Sequence, residues 1–320
     1  MNSARSAQPL AWLLVAATGI LCIGGAAVGS LGWEPLWGRA GPASAAILWD
    51  IRVPRTLGAW LAGALLGLAG AVAQGLFRNP LADPYLLGSA TGAALGVALL
   101  LVVIGVSPMA ASGWAARLGL TGAGFTGAVI AGQQQAQRML LAGVVVSMVL
   151  GAFSALVMFW VPDIMRAMQA FLLGTTGFLG WPSVQLLALV FATCGFAAIA
   201  FSRALDALSL GETTAASLGI PLQPIRMALI AVMALATGAA VAQVGLIAFI
   251  GLVAPHLVRA AVKPTHRWLL PLSALTGGVL LLAADVLARW ALAPQELPVG
   301  VLTAVLGGSY LIWLMHRRPV

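Results

Sequence analysis

Charged residues are scarce in this chain. Charged side chains make up only 8% of its 320 residues, whereas 61% of the residues are hydrophobic. The mean hydropathy is +1.03. A water-soluble domain could not hide this much apolar surface and still present a charged exterior, so that class is excluded. The composition predicts a protein whose solvent is a lipid bilayer.

Cysteine is equally scarce, and acidic residues are fewer than basic ones. Cys22 and Cys194 lie far apart in apolar runs, which indicates two small buried side chains and neither a disulfide nor a metal site. The formal net charge of +8 would suit nucleic acid, but a membrane protein is expected to carry its basic residues on the cytoplasmic side. We therefore expect no nucleic-acid partner.

Signatures of nucleotide binding and catalysis are also missing. The P-loop pattern GxxxxGK[ST] does not occur. A GxGxxG pattern at Gly122, Gly124 and Gly127 lies in an apolar run with no strand before it, so we reject a dinucleotide site there. The three histidines have no neighbouring ligands at metal-site spacing, and no nucleophile–base pair is recognisable. The sequence predicts a chain that is not an enzyme and binds no cofactor or metal itself.

Long apolar runs, in contrast, are abundant. A bilayer-spanning helix needs roughly 20 residues, which predicts ten spans in a single domain that covers residues 1–320. The first run is interpreted as a retained helix and not as a cleaved signal peptide, because it is long and more spans follow. The expected spans are 9–30, 55–77, 86–106, 118–132, 139–160, 182–201, 227–244, 246–262, 268–288 and 298–315.

The distribution of charge predicts the orientation of these spans. An even number of spans places both termini on the same side. If that side is the cytoplasm, ten of the 16 basic residues lie inside, and only three of the eight acidic residues do. The positive-inside rule therefore predicts cytoplasmic termini.

One segment interrupts the apolar pattern. Residues 202–226, the polar segment, form the longest stretch without a possible span, and the charge count places them in the cytoplasm between spans six and seven. Ser209 and Thr213 are expected helix caps, and Gly219 with Pro221 is a typical helix stop. The pattern favours short helices presented to a partner. The alternative is a solvated loop.

Four further regions combine charge, proline and glycine at span ends. They read IRVPR at 51–55, RNPLADP at 78–84, GLIAFIGLVAPHLVR at 245–259, and ADVLAR at 284–289 followed by ELPVG at 296–300. In these regions the sequence resembles the FecCD-type permeases of binding-protein-dependent ABC importers for vitamin B12, haem and ferric siderophores. The family patterns RxPR, NPLAxP, GxIxFxGLxxPHxxR, ADxxAR and ELPxG occur in family order, and residues 283–308 are most similar to vitamin B12 permeases. One departure lies at the family's DHR triplet, whose Asp is replaced by Thr265.

The resemblance implies a role for the polar segment. In the family, the loop between spans six and seven forms coupling helices that bind in a cleft of a separate ATPase subunit, which holds ATP and Mg²⁺. By this correspondence the coupling residues are Leu208, Ser209, Leu210, Gly211, Glu212, Ser217, Leu218 and Gly219.

The resemblance also implies a role for arginines on the outer side. In the family they receive two glutamates of the periplasmic binding protein, and the corresponding residues here are Arg52, Arg55 and Arg289. Charge-assisted pairs between arginine and carboxylate suit such docking. The alternative is internal pairing, for instance of Arg289 with Asp285 one helical turn away, or of Arg52 with Asp50.

The turn Asn79-Pro80-Leu81, the gate turn, resembles the cytoplasmic gate of the family, and a simple tight turn is compatible with that role. The resemblance implies a homodimer in a bacterial inner membrane, with two ATPase subunits and one periplasmic binding protein. An ion-gradient-driven secondary transporter is the alternative. It would need mid-membrane carboxylates or an unwound ion site, which the sequence does not reveal. A purely structural membrane subunit would leave the outer arginines and the polar segment unexplained.

Overall fold

The computed structural model describes residues 2–29, 32–33, 42–104 and 136–317. Within these ranges the protein is all-helical apart from one antiparallel ladder, in which Val28–Gly29 pairs with Gly32–Trp33. A π-helical stretch, Ile47–Arg52, and two 3-10 turns, Pro84–Leu87 and Pro162–Ile164, lie between α-helices. The helices are α1 (Asn2–Ala27), α2 (Pro42–Ala46), α3 (Val53–Leu76), α4 (Ser89–Ile104), α5 (Ala136–Trp160), α6 (Met165–Leu173), α7 (Trp181–Ala200), α8 (Ser202–Ser209), α9 (Glu212–Ser217), α10 (Leu222–Val244), α11 (Ile250–Val262), α12 (His266–Trp290) and α13 (Val299–Arg317).

Six helical segments of the described chain are long and apolar enough to cross a membrane. They are Ala7–Ala27, Ser44–Leu76, Leu141–Trp160, Trp181–Ala200, Leu222–Val244 and His266–Trp290. Three shorter apolar helices are Ala90–Val103, Ile250–Val262 and Val299–Leu314. These segments coincide with expected spans one to three and five to ten. Expected span four, 118–132, and the GxGxxG pattern within it lie outside the described residues.

The bundle is centred on α3, which packs against α12 through small residues. A Cβ atom added at Gly63 would overlap the carbonyl of Gly277, and one added at Gly67 would overlap the carbonyl of Ser273. Glycine at these positions lets the two backbones approach closely. The close crossing aligns the ends of the two helices, and functional clusters form at both ends.

Expected span eight was wrong at its start, because α11 begins at Ile250 and not at residue 246. Gly245 and Phe249 adopt φ angles of 72° and 69°, which interrupt the helix between α10 and α11. The Tyr85 hydroxyl donates to the carbonyl of Ile247 at 2.8 Å and accepts from its N–H at 3.3 Å. Hydropathy did not reveal this break, because a side chain distant in sequence satisfies the freed backbone groups.

Helix α6 was not expected from the sequence. Its carboxyl end meets the α10–α11 break, where the Phe171 carbonyl accepts from the N–H groups of Gly174 (3.2 Å) and Leu246 (3.1 Å). The N–H of Gly300, at the start of α13, donates to the Gly174 carbonyl at 3.4 Å. Three helix ends therefore meet inside the bundle.

Candidate functional site

The polar segment folds into α8 and α9, beside the carboxyl end of α3. Leu205 and Leu208 are 0% and 2% exposed and anchor α8 in the core, whereas Leu210 and Leu218 are 70% and 63% exposed. Of the eight expected coupling residues, Leu208 therefore faces inward. The other seven are exposed or half-buried.

The expected helix caps in this segment were partly wrong. Ser209 is the last residue of α8, and its hydroxyl donates to the carbonyl of Asp206 at 2.6 Å. Gly211, with a φ of 118°, occupies the N-cap of α9, and Thr213 lies in its first turn. The sharp turn between two helices requires a positive φ, which favours glycine over a hydroxyl cap. Gly219, with a φ of 73°, follows the end of α9 as expected.

Glu212 connects α9 to two other parts of the bundle. Its Oε1 lies 2.6 Å from Nη2 of Arg226 on α10 and 3.8 Å from Nη2 of Arg78, which follows α3. The hydrogen bond from Arg226 is the main reason why the pKa of Glu212 lies below its usual value. Partial burial raises this pKa, and the positive charges of Arg226 and Arg78 lower it further. The Arg226 side chain is 8% exposed and that of Glu212 is 40% exposed. The Glu212–Arg226 pair therefore anchors α9 to the start of α10.

Asp206 connects α8 to α12. Its Oδ1 accepts from the backbone N–H of His266 at 2.9 Å and lies 2.7 Å from Nδ1 of the same residue. Thr265, where the family pattern has aspartate, occupies the N-cap of α12 without a side-chain bond to the helix. A carboxylate from the polar segment thus accepts a hydrogen bond from the first backbone N–H of α12, which has no partner within the helix.

The gate turn is closed by two local hydrogen bonds to Asn79. The Asn79 side chain accepts from the N–H of Leu81 at 2.9 Å, and its carbonyl accepts from the N–H of Ala82 at 3.0 Å. Arg78, which precedes the turn and faces Glu212, has a φ of 50°. Leu81 is 59% exposed. The gate turn therefore presents an apolar side chain and lies next to the polar segment.

The opposite end of α3 holds an ion cluster, here called the arginine cluster, of Arg55, Asp285, Arg289 and Glu296. Nε and Nη2 of Arg55 donate to Oδ1 of Asp285 at 3.3 and 3.2 Å. The same guanidinium binds both oxygens of Glu296, with Nη1–Oε1 at 3.1 Å and Nη2–Oε2 at 2.9 Å. Arg55 is therefore held by one carboxylate from α12 and by a second from the loop that precedes α13.

Arg289 is the more deeply buried of the two arginines in the arginine cluster. Its Nη2 donates to Oδ2 of Asp285 at 2.7 Å, and its Nη1 donates to the carbonyls of Gly25 and Val28, both at 2.8 Å. The hydroxyl of Thr176 also donates to Asp285. The side chains of Asp285 and Arg289 are 0% and 2% exposed. The cluster thus ties the end of α1, the start of α3, the segment before α7 and the end of α12 together.

The structure brings two of the three outer arginines together and places the third nearby. Arg52 ends the π-helical stretch and donates to the carbonyl of Ala26 at 3.4 Å. For Arg289 the alternative of internal pairing with Asp285 is what the structure shows. The docking role of the three arginines stays a prediction.

Sequence reasoning missed the partners that complete these clusters. Glu296 was recognised within a motif but not as a ligand of Arg55, and Tyr85 was not singled out at all. The acidic residue four positions before Arg289 was the one local signal. Among the residues that the structure describes, no group of three His, Cys, Asp or Glu side chains could hold a metal ion.

A bundle of long apolar helices, with its charged clusters at the two ends, defines a multi-pass membrane protein. Comparison with family models assigns this membrane protein to a particular family. The model of the FecCD transport family matches residues 11–317. The chain therefore belongs to the FecCD transport family, and the resemblance recognised in the sequence is confirmed.

Named relatives agree with this assignment. The hemin transport system permease HmuU of Yersinia pestis is 38% identical over 316 residues, which cover 93% of this chain and 92% of the relative. The vitamin B12 import system permease BtuC of Salmonella typhimurium is 40% identical over 286 residues, covering 84% of this chain and 83% of the relative. A metal-chelate type ABC transporter solved in an inward-facing conformation superposes with a TM-score of 0.83 at 28% identity, over 98% of this chain and all of that one. The chain is thus a transport permease of the bacterial inner membrane.

Proposed function

We propose that this permease is the membrane subunit of an ATP-driven importer that moves a bulky metal chelate from the periplasm into the cytoplasm. The family match over residues 11–317 carries the proposal, because permeases for haem and for vitamin B12 are among the relatives. Cobalamin, haem and ferric siderophores are the candidate substrates. The similarity of residues 283–308 to vitamin B12 permeases favours cobalamin.

The proposed topology is one domain of ten spans with both termini in the cytoplasm. The charge distribution supports this orientation, which places the polar segment and the gate turn inside and the arginine cluster outside. Two copies of the chain would enclose a central pathway that the gate turns close from the cytoplasmic side.

The polar segment is the proposed contact with the ATPase. Leu210 and Leu218 are exposed beside the half-buried Glu212, and these side chains form a mixed apolar and charged surface at the end of the bundle. The anchors of Glu212 on α10 and of Asp206 on α12 would carry a displacement of this surface into two spans. Two ATPase subunits would bind ATP and Mg²⁺, and this chain would bind neither.

The end of the bundle that holds the arginine cluster is the proposed contact with one periplasmic binding protein. Arg52, Arg55 and Arg289 lie at this end of the bundle. Because Arg55 and Arg289 are already paired with Asp285 and Glu296, a carboxylate on the partner would compete with these internal carboxylates for the guanidinium groups.

A gradient-driven carrier has less support. Within the part of the chain that the structure describes, the candidate for an unwound ion site is the α10–α11 break, where the backbone groups of Ile247 are bound by Tyr85 and the N–H of Leu246 is bound by Phe171. None of the relatives described above is such a carrier.

The test is uptake into proteoliposomes that hold the permease with its ATPase. Cobalamin-loaded or hemin-loaded binding protein is supplied outside, and ATP is enclosed inside. Uptake that requires both the ATPase and hydrolysable ATP is expected. Uptake without the ATPase, driven by an imposed proton or sodium gradient, would refute the proposal in favour of a secondary transporter.

A further inference from the structure

Glu296 binds the Nη1–Nη2 edge of the Arg55 guanidinium, which is also the edge that could bind a carboxylate of a partner protein. Both of its oxygens face the guanidinium, at 3.1 and 2.9 Å, so the pair is bidentate. We propose that Glu296 is an internal substitute for the binding protein's carboxylate, and that docking displaces it from Arg55. This inference rests on the proposed function, because it assumes that a binding protein docks at the arginine cluster.

Exposure identifies Glu296 as the exchangeable member of the arginine cluster. Its side chain is 33% exposed, whereas those of Arg55, Arg289 and Asp285 are 11%, 2% and 0% exposed. Asp285 is also held by both arginines and by Thr176, so its release would break several buried contacts. Glu296 contacts Arg55 alone among the described members of the cluster. A carboxylate arriving from outside therefore meets Glu296 first.

Charge balance explains why an internal carboxylate is present in the undocked permease. Arg55 and Arg289 are balanced by Asp285 and Glu296, two charges of each sign. Without Glu296 the buried cluster would carry one uncompensated positive charge, which is costly in a poorly solvated site. An exchange of carboxylates leaves the balance unchanged, so docking can proceed without exposing an unpaired arginine.

The exchange also has a structural consequence. Glu296 lies in the loop between α12 and α13, and the next residue, Leu297, donates to the carbonyl of Ala288 at 3.1 Å. Gly300, at the start of α13, is bonded to the Gly174 carbonyl near the end of α6. Release of Glu296 would remove a side-chain anchor of this loop and loosen the start of α13 when the binding protein is present.

The test compares Glu296→Gln with the wild type in nanodiscs that hold the full permease with its ATPase. The probe is the cobalamin-loaded binding protein, and its Kd and association rate are measured. Glutamine keeps the size of the side chain but loses the charge that competes with the partner. Loss of a charge-assisted contact is expected to tighten docking by about tenfold. Glu296→Ala should act in the same direction.

A matched control separates this effect from general electrostatics. Asp163 is an exposed acidic residue on the same expected side of the membrane, so Asp163→Asn removes an equal charge away from Arg55. Docking that is tightened equally by Asp163→Asn and Glu296→Gln would overturn the proposal. Weaker docking of a folded Glu296→Gln variant would also overturn it, because Glu296 would then only position Arg55. A wild-type complex that binds no binding protein, whether loaded with cobalamin, with hemin or with a ferric siderophore, would refute the docking step itself, and the exchange with it.

Discussion

Replacement of Glu212 by arginine should separate ATP hydrolysis from transport. Glu212 is the first residue of α9 and anchors this helix to Arg226 at 2.6 Å, with Arg78 at 3.8 Å. The substitution removes the anchor and places a third positive charge between two others. We expect α9 to move away from α10, while the arginine cluster at the opposite end of α3 stays intact.

The magnitude follows from the exposure of the pair. Two unit charges about 4 Å apart interact by roughly 4 kcal/mol at an effective dielectric constant near 20. The Glu212 side chain is 40% exposed, and solvent screening reduces such pairs to about 1 kcal/mol. Loss of the attraction and gain of a repulsion of similar size give about 2 kcal/mol, which corresponds to roughly a 30-fold shift toward displaced α9.

The assay measures ATP hydrolysis and substrate uptake in the same proteoliposomes. Glu212→Arg should lower uptake per ATP hydrolysed by at least about tenfold, given the shift in the position of α9. Docking of the binding protein should be unchanged. The double variant with Arg226→Glu restores a pair of opposite charges and should recover a large part of the coupling. Normal uptake per ATP in Glu212→Arg, at normal binding of the ATPase, would refute the reasoning.

Three further outcomes are expected. Gly67→Leu should prevent stable folding, because its side chain would overlap the backbone of α12. Gly19→Ala, which has open space around it, should leave the thermal unfolding midpoint unchanged. Equal midpoints for Gly67→Leu and the wild type would contradict the close crossing of α3 and α12. Tyr85→Phe should cost about 1–3 kcal/mol in the free energy of unfolding, because two backbone groups of Ile247 lose their partner, and an unchanged denaturation midpoint would show that water replaces the hydroxyl. The lowered pKa of Glu212 means that its stabilising contribution is present above its unfolded pKa and is lost as pH falls through the lower folded value. The unfolding midpoints of the wild type and Glu212→Gln should therefore differ at pH 7 and converge only in acid below about pH 4, and convergence already at pH 6 would contradict the assigned pairing.

Most of the architecture could be predicted because a bilayer imposes simple rules. A spanning helix needs a long apolar run, and these runs are visible without knowing how the helices pack. Nine of the ten expected spans coincide with apolar helices of the described chain, and the helical nature of the polar segment was also predicted. The remaining expected span, 118–132, lies outside the described residues.

The errors have two physical causes, one a contact distant in sequence and the other a local backbone conformation. The break at residues 245–249 is stabilised by Tyr85, which lies 162 positions away from Ile247 in sequence. The cap of α9 was assigned to a hydroxyl residue, but the turn between α8 and α9 required the positive φ of Gly211. Local patterns describe each helix in isolation and do not show which distant group satisfies its ends.

The sequence determined which residues belong to the candidate functional site, and the tertiary structure decided which of them are partners. Family, membrane location and candidate residues followed from composition, charge and motifs, because these properties do not depend on how the chain folds back on itself. The partners of Arg55 did not follow, since Asp285 and Glu296 lie 230 and 241 positions away from it. The close crossing of α3 and α12 at Gly63 and Gly67 brings them together. Only that packing converts three sequence motifs into a buried, charge-balanced cluster.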